Sequence, residues 1–206
     1  MDTRACLPSR RGFLKGLAAG AGGYALGSFL IHPKEAMGQS IEGNLEKVSM
    51  ETRWNIVTGG LVSWQVSYFK RLLDTEGREK LLEFTKKQSS AIGAGSKGLA
   101  DRLGLTGNDA KAAAAIIPAV VTIHYGPKQK FEIGEATENR ATVKCIECAL
   151  WNNIQARKIT DDLCSSHSRY YWESFAKGIN PKLTSTLVKA RPLGDSVCEW
   201  VFEIKA

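Results

Sequence analysis

Four cysteines and one histidine in the C-terminal part of the chain have the residue types and the spacing that chemistry requires. Cys145 and Cys148 are three positions apart, Cys164 and His167 are also three positions apart, and Cys198 lies near the end of the chain. Thiolates and imidazoles act as nucleophiles, proton carriers and ligands for soft metals. These five side chains are therefore the first candidates for a catalytic or metal site.

The pattern of polar and apolar residues predicts that these side chains lie on packed faces. In the last predicted strand, Cys198 shares a face with aromatic residues, because successive side chains of a strand point to opposite sides of the sheet. The same alternation places Cys145 on the apolar face of an earlier strand. Cys164 and His167 lie on one side of a predicted helix, since residues three apart are neighbours on a helix surface. If that helix crosses the sheet, the candidates converge.

Three interpretations of this group remain open. As an active site, Cys145, Cys164 or Cys198 would supply a nucleophilic thiolate and His167 would move protons. As a metal centre, Cys145, Cys148, Cys164 and His167 would form a tetrahedral zinc site. As structural residues, the thiols would be small buried hydrophobic groups or disulfides, and His167 would make a hydrogen bond.

Aromatic residues cluster in sequence around the cysteine-bearing helices. Trp151, Tyr171 and Trp172 are candidates for the wall of a pocket that binds a planar ligand or cofactor. The alternative is that they belong to the core, because their spacing is also typical of the buried side of a helix.

The elements that would position these side chains follow from hydrophobic periodicity. Residues 45–125 have the apolar spacing of helices, whereas residues 130–205 alternate between strand and helix patterns. Strands are predicted at 131–133, 140–146, 183–188 and 197–204, and helices at 149–157 and 163–178. This order predicts an α+β domain in which an N-terminal helical segment packs with a four-stranded antiparallel sheet covered by helices.

Three breaks are predicted within the helical half. The pair Gly59-Gly60 should bend a first helix at 45–73 or allow a close neighbour, and a second helix should begin at Thr75. Asp109 is a predicted N-cap for the alanine-rich helix at 110–123. Pro118 should kink or break that helix.

The N-terminal residues carry a targeting pattern. Residues 9–15 read SRRGFLK and precede a weakly apolar stretch at 16–31. This resembles the twin-arginine export signal, Ser/Thr-Arg-Arg-x-Phe-Leu-Lys, with a possible cleavage site at Ala36-Met37-Gly38. The resemblance implies a signal peptide at 1–38, a single domain at 39–206, the twin-arginine export machinery as a partner, and a periplasmic location. Because such substrates cross the membrane folded, a cofactor or a co-exported redox partner is a further expectation.

Composition argues against two other classes of function. The net charge of +7 is spread over many positions without a dense stripe of Lys and Arg, so nucleic-acid binding is not predicted. After residue 38, no apolar run reaches the roughly 20 residues of a membrane-spanning helix. The mature part is therefore expected not to span a membrane.

The cysteine-bearing half also resembles a known family. The run Cys145-x-x-Cys148-Ala-Leu-Trp, the segment GINPKL at 178–183 and the segment KARPLGDSVCE at 189–199 are similar to the L-2-amino-thiazoline-4-carboxylic acid hydrolase family. The resemblance implies hydrolysis of a cyclic amidine, a non-peptide C–N bond, through Cys145, Cys164, His167 and Cys198. A thiolate or a metal-bound hydroxide would attack the amidine carbon while His167 moves protons.

A more distant resemblance, to the 4-vinyl reductase sensor domain, implies a different function. That domain binds small hydrophobic ligands and holds zinc near its C-terminal hairpin, with a cysteine eight positions before the one that corresponds to Cys198. In this chain Ala190 occupies that position. The alternative to a hydrolase is therefore a non-enzymatic accessory subunit that binds a metal, a cofactor or a small molecule in the periplasm.

Overall fold

A computed structural model describes residues 45–205 of the chain. The predicted signal peptide at 1–38 lies outside these residues. Met50–Ala206 forms one unit by its internal contacts. In chain order the elements are helices α1 (Met50–Arg102) and α2 (Ala110–Tyr125), strands β1 (Lys130–Ala136) and β2 (Arg140–Glu147), helices α3 (Ala149–Ala156) and α4 (Leu163–Ile179), strand β3 (Leu183–Lys189), a 3₁₀ turn (Arg191–Leu193) and strand β4 (Cys198–Ile204).

The four strands form one antiparallel sheet in the order β1-β2-β4-β3. Cys145 of β2 lies directly opposite Cys198 of β4 in the strand register. Alternate residues of β2 and the start of β4 are buried, as the sequence alternation predicts for a sheet packed on one face. The predicted α+β architecture with a four-stranded antiparallel sheet is confirmed.

Helix α1 reverses its direction at Gly77, which divides it into a first arm (residues 50–76) and a second arm (residues 78–102). Gly77 has φ 83° and ψ 174°, a conformation that is essentially restricted to glycine. The rings of Tyr68 and Phe84 lie 5.4 Å apart, whereas 16 residues of continuous helix would separate them by about 24 Å. The two arms therefore lie side by side.

The expectation for Gly59-Gly60 is wrong. The helix continues through both residues, and no other atom lies within 4 Å of the place where a Cβ would stand on either one. Their cost in helix propensity does not bend the helix here, because only Gly77 leaves helical φ and ψ within α1.

Helix α2 begins as the sequence predicts but is not broken. The Asp109 side chain accepts a hydrogen bond from the backbone N–H of Ala112 at 2.7 Å, which satisfies a donor of the first turn. Pro118 lies inside α2 without ending it, so the predicted break is absent. The helix ends at Gly126, whose N–H donates to the Thr122 carbonyl oxygen.

Helix α4 is packed between the sheet and α1. On the sheet side, the Trp172 ring stacks on Trp200 of β4, with ring centroids 4.1 Å apart. On the other side, the backbone of α4 approaches the second arm of α1 so closely that a Cβ on Gly93 would lie 2.3 Å from the Tyr171 carbonyl oxygen. Side chains of α4 therefore reach both the sheet and α1.

The helices of residues 45–205 include no candidate for a membrane span. Among the helices at 45–205, none combines the length and the apolar composition that crossing a membrane would need.

Candidate functional site

The four cysteines surround one small cavity. Cys145 comes from β2, Cys148 from the residue before α3, Cys164 from the first turn of α4 and Cys198 from the start of β4. All four are buried and unpaired. The cavity measures about 30 Å³. Since a water molecule needs at least about 10–15 Å³ of such space, the cavity has room for one or two water-sized groups.

Cys148 is the N-cap of α3, and several donors point at its sulfur. The backbone N–H of Trp151 donates to Cys148 Sγ at 3.3 Å. The neighbouring thiols of Cys145 and Cys164, together with the backbone N–H groups of Trp151 and Leu150, outweigh burial and hold the pKa of Cys148 well below its usual value. Of the four sulfurs, Cys148 is therefore the one at a helix N-terminus that a backbone donor favours in its thiolate form.

The neighbouring thiols continue a chain of contacts. The neighbouring Cys148 sulfur raises the pKa of Cys145 above its usual value, and burial adds to the effect. The pKa of Cys164 is raised for the same two reasons and by its contact with Cys198. The Cys164 thiol in turn lowers the pKa of Cys198. Neighbouring sulfurs thus influence one another in the order Cys145, Cys148, Cys164, Cys198. The Cys145 thiol itself donates to the carbonyl oxygen of Glu147 at 3.3 Å.

Two polar residues outside the predicted set hold the cysteines in place. The buried Gln129 side chain donates to Cys145 Sγ at 3.0 Å and accepts from the Ala149 N–H at 2.9 Å, so it ties β2 to the start of α3. The backbone N–H of Arg191 donates to Cys198 Sγ at 3.4 Å. The sequence pattern predicts neither contact. Gln129 lies in the loop before β1, where there is no periodic signal, and Arg191 acts through its backbone N–H, which is independent of residue type.

His167 lines the same cavity, but its ring nitrogens form hydrogen bonds with side chains of α1 and α2. Its Nδ1 lies 2.6 Å from Ser89 Oγ, and its Nε2 lies 3.1 Å from Gln65 Nε2 and 3.0 Å from the Tyr125 hydroxyl. An amide nitrogen can only donate, so His167 Nε2 accepts and Nδ1 carries the proton that it donates to Ser89. Burial lowers the pKa of His167 to about 4, and the imidazole is therefore neutral at pH 7.

These hydrogen bonds bear on two of the three interpretations. With Nδ1 donating to Ser89 and Nε2 accepting from α1 and α2, both ring nitrogens of His167 are already in use. Between residues 45 and 205, no three or more His, Cys, Asp or Glu side chains are arranged to hold a metal ion. The predicted zinc ligands Cys145, Cys148, Cys164 and His167 therefore do not fit such an ion in this geometry.

The three predicted aromatic residues have different positions. Tyr171 and Trp172 line the cysteine cavity, and the Tyr171 hydroxyl lies 3.0 Å from Ser96 Oγ. The side chain of Trp151 is not part of the cavity wall; its backbone N–H donates to Cys148 instead. Trp200, which lies two positions after Cys198 on the same face of β4, also lines the cavity.

A second, larger pocket lies on the other side of His167. It measures about 280 Å³, and most of its walls are apolar side chains from the two arms of α1. His167, Tyr125 and Tyr171 line both this pocket and the cysteine cavity. The polar groups of the pocket are Gln65, Gln88, His124 and His167 together with the tyrosine hydroxyls. No periodic pattern predicted this pocket, because it depends on the reversal at Gly77.

Comparison with known proteins identifies the fold but not the family. No protein-family model matches the chain, and no curated protein matches it in sequence. The amino-thiazoline hydrolase resemblance is therefore without support from either comparison. The solved structures that are similar to this chain are not described as hydrolases.

Two solved structures share the fold at low sequence identity. The phenol-responsive sensory domain of the transcription activator PoxR, solved with phenol, has a TM-score of 0.55 and 12% identity, over 69% of this chain and 74% of that chain. Subunit 3 of a trafficking protein particle complex from Naegleria fowleri, covalently bound to palmitic acid, has a TM-score of 0.53 and 13% identity, over 73% of this chain and 96% of that chain. At these identities the likeness concerns the fold alone.

Proposed function

We propose that this protein is a small-molecule-binding module whose ligand is compact, mostly apolar and equipped with one hydrogen-bonding group. The observation that carries the proposal is the pocket between the two arms of α1, which has apolar walls and the His167, Gln65 and Tyr125 network on one side. Ligand pockets are typically apolar with a few well-placed polar groups that fix orientation.

The size of the pocket limits the ligand. Pockets for drug-sized molecules measure about 300–1,000 Å³, so a pocket of about 280 Å³ suits a molecule the size of a single substituted ring. The neutral imidazole of His167 favours an uncharged ligand, since nothing in that network offers a compensating charge. The likeness of the fold to a phenol-responsive sensory domain supports the same class of ligand.

The hydrolase hypothesis has weaker support. It requires His167 to move protons for a cysteine, but His167 is neutral and its ring nitrogens bond to Ser89, Gln65 and Tyr125. Hydrolysis of a cyclic amidine therefore stays a prediction from sequence resemblance alone.

Filling the pocket tests the binding function. Ile92 lines the pocket and is 44% exposed, so Ile92→Trp places an indole in the ligand space without replacing a core residue. We expect phenol to bind the unmodified protein in a saturable manner, and Ile92→Trp to weaken binding at least about tenfold, or about 1.4 kcal/mol. Isothermal titration calorimetry with phenol measures both affinities.

The matched control is Ile133→Trp on β1, a residue that is 51% exposed and does not line the pocket. It should bind phenol with the affinity of the unmodified protein. Equal affinities for Ile92→Trp and Ile133→Trp, or no saturable binding by the unmodified protein, would contradict the proposal.

We further propose that the protein acts in the periplasm after folded export by the twin-arginine machinery. The support is the SRRGFLK pattern at residues 9–15, outside the described part of the chain. A small-molecule ligand is the partner that the pocket favours, whereas a co-exported redox partner stays a prediction.

A further inference from the structure

The cysteine cavity has chemical features that ligand binding in the larger pocket does not use. Its four thiols are buried, unpaired and line one small cavity. Buried structural cysteines are ordinarily inert because their thiols are protonated and solvent does not reach them. Here Cys148 is the N-cap of α3 and its Sγ accepts the backbone N–H of Trp151 at 3.3 Å, an environment that stabilises a thiolate.

We propose that the cavity is a site of oxidation by a peroxide, in which Cys148 reacts first and Cys145 resolves the product to a disulfide. In the first step the Cys148 sulfur attacks one peroxide oxygen, the O–O bond breaks, and the leaving hydroxide takes up a proton to form water. The sulfur becomes a sulfenic acid and the peroxide is reduced by two electrons.

The second step uses a thiol that is already in contact. The Cys145 sulfur attacks the sulfenic sulfur, an S–S bond forms, and the departing hydroxide leaves as water with the proton of the Cys145 thiol. The sum is two thiols and one hydrogen peroxide giving one disulfide and two waters. Cys145 is the resolving thiol because its Sγ is held on both sides of Cys148 in the chain. It lies 3.3 Å from the carbonyl oxygen of Glu147, and Gln129 ties it to the backbone N–H of Ala149.

The size and walls of the cavity favour a small oxidant. A cavity of about 30 Å³ admits a molecule the size of one or two waters, which includes hydrogen peroxide and excludes bulky disulfides. Trp200 lines the cavity, is 4% exposed, and its Nε1–H is buried without a hydrogen-bond partner. An oxygen atom in the cavity would give this donor an acceptor.

The experiment oxidises the full-length chain carrying Cys6→Ser, so that the four described cysteines are the only thiols. The reduced, folded protein is treated with hydrogen peroxide or, separately, with oxidised glutathione, a bulky disulfide. Free thiols are counted after denaturation, and disulfides are located by peptide mass spectrometry. We expect peroxide to consume two of the four thiols as a Cys145–Cys148 disulfide, and oxidised glutathione to leave the folded protein reduced.

Two variants separate the roles. In Cys145→Ser the sulfenic acid should persist at Cys148 and be trapped there by dimedone, whereas Cys148→Ser should keep all its thiols. Cys198→Ser is the matched control and should still form the disulfide. The disulfide is also located in the chain that keeps all four described cysteines, so the test does not depend on whether Cys148→Ser folds. A peroxide-induced disulfide that omits Cys148, or oxidation by glutathione disulfide as fast as by peroxide, would overturn the proposal; a Cys148–Cys164 disulfide would overturn the assignment of Cys145.

Discussion

At the scale of single residues, hydrogen-bond partners decide the chemistry of the candidate groups. Cys148 and His167 line the same cavity, yet surrounding donors lower the pKa of Cys148 and favour its thiolate, whereas burial lowers the pKa of His167 to about 4 and keeps the imidazole neutral. A thiolate beside a neutral imidazole is not the charged pair of a cysteine–histidine nucleophile. This difference favours an oxidisable thiol and a polar pocket wall over a hydrolytic pair.

The neutral state of His167 predicts how stability depends on pH. Its pKa is about 4 in the folded protein and 6.5 in the unfolded chain, so the unfolded state binds the extra proton between these values. The stability that comes from the neutral imidazole is fully present above pH 6.5 and is lost as the pH falls toward 4. We expect His167 to account for a loss of about 2 kcal/mol between pH 7.5 and pH 5.

Urea unfolding at the two pH values measures this loss. His167→Gln keeps a polar side chain but cannot titrate, so its free energy of unfolding should fall by about 2 kcal/mol less over the same interval. The same decrease in both proteins would show that His167 does not carry the effect.

At the scale of elements, the close packing of α1 against α4 positions His167 and Tyr171. The second arm of α1 supplies Ser89 to His167 and Ser96 to Tyr171. Both bonds require the two helix backbones to approach at Gly93, where a side chain would collide with α4. The glycine is therefore a condition for the polar wall of the pocket.

Two glycines of the same arm give opposite expectations. Gly93→Ala would place Cβ 2.3 Å from the Tyr171 carbonyl oxygen, so we expect it to lower the free energy of unfolding by about 1–3 kcal/mol. Gly95→Ala has no other atom within 4 Å of its Cβ and should leave stability unchanged or raise it by up to about 1 kcal/mol. Thermal unfolding of both variants tests the difference; equal melting temperatures would contradict the proposed contact.

At the scale of the whole molecule, the fold brings distant parts of the chain to one place. The pocket takes side chains from both arms of α1, from α2 and from α4, and the cysteine cavity adds three strands of the sheet. The reversal at Gly77 and the position of α4 between sheet and α1 bring these side chains together. Ligand binding and thiol oxidation thus share His167, Tyr125 and Tyr171 as a common wall.

The export proposal also belongs to this scale. Replacing both arginines of the motif, Arg10→Lys with Arg11→Lys, keeps the charge but removes the guanidinium pair that defines the signal. We expect the periplasmic fraction of the protein to fall sharply, as measured by cell fractionation and immunoblotting. Arg4→Lys, outside the motif, is the control and should be exported normally. Equal periplasmic amounts of all three proteins would refute twin-arginine export.

Local patterns in the sequence determined most of the secondary structure. Alternation in 140–146 and 197–204 identified two strands and their buried faces, and Asp109 marked the start of α2, because strand pleat and helix capping depend on neighbouring residues. The same alternation placed Cys145 and Cys198 on the packed face. The bend expected at Gly59-Gly60 is absent, since helix propensity is weaker than the tertiary contacts that fix a helix.

Only the tertiary structure decided which groups meet. Gln129 reaches Cys145 from the loop before β1, and Ser89 reaches His167 from a helix 78 positions earlier in the chain. Neither partner leaves a periodic signal, because each contact depends on how whole elements pack and not on the spacing of adjacent residues. The sequence by itself thus determined the strands, the caps and the buried sides of the cysteines. Packing decided that Cys148 accepts hydrogen bonds from its neighbours and that His167 is neutral.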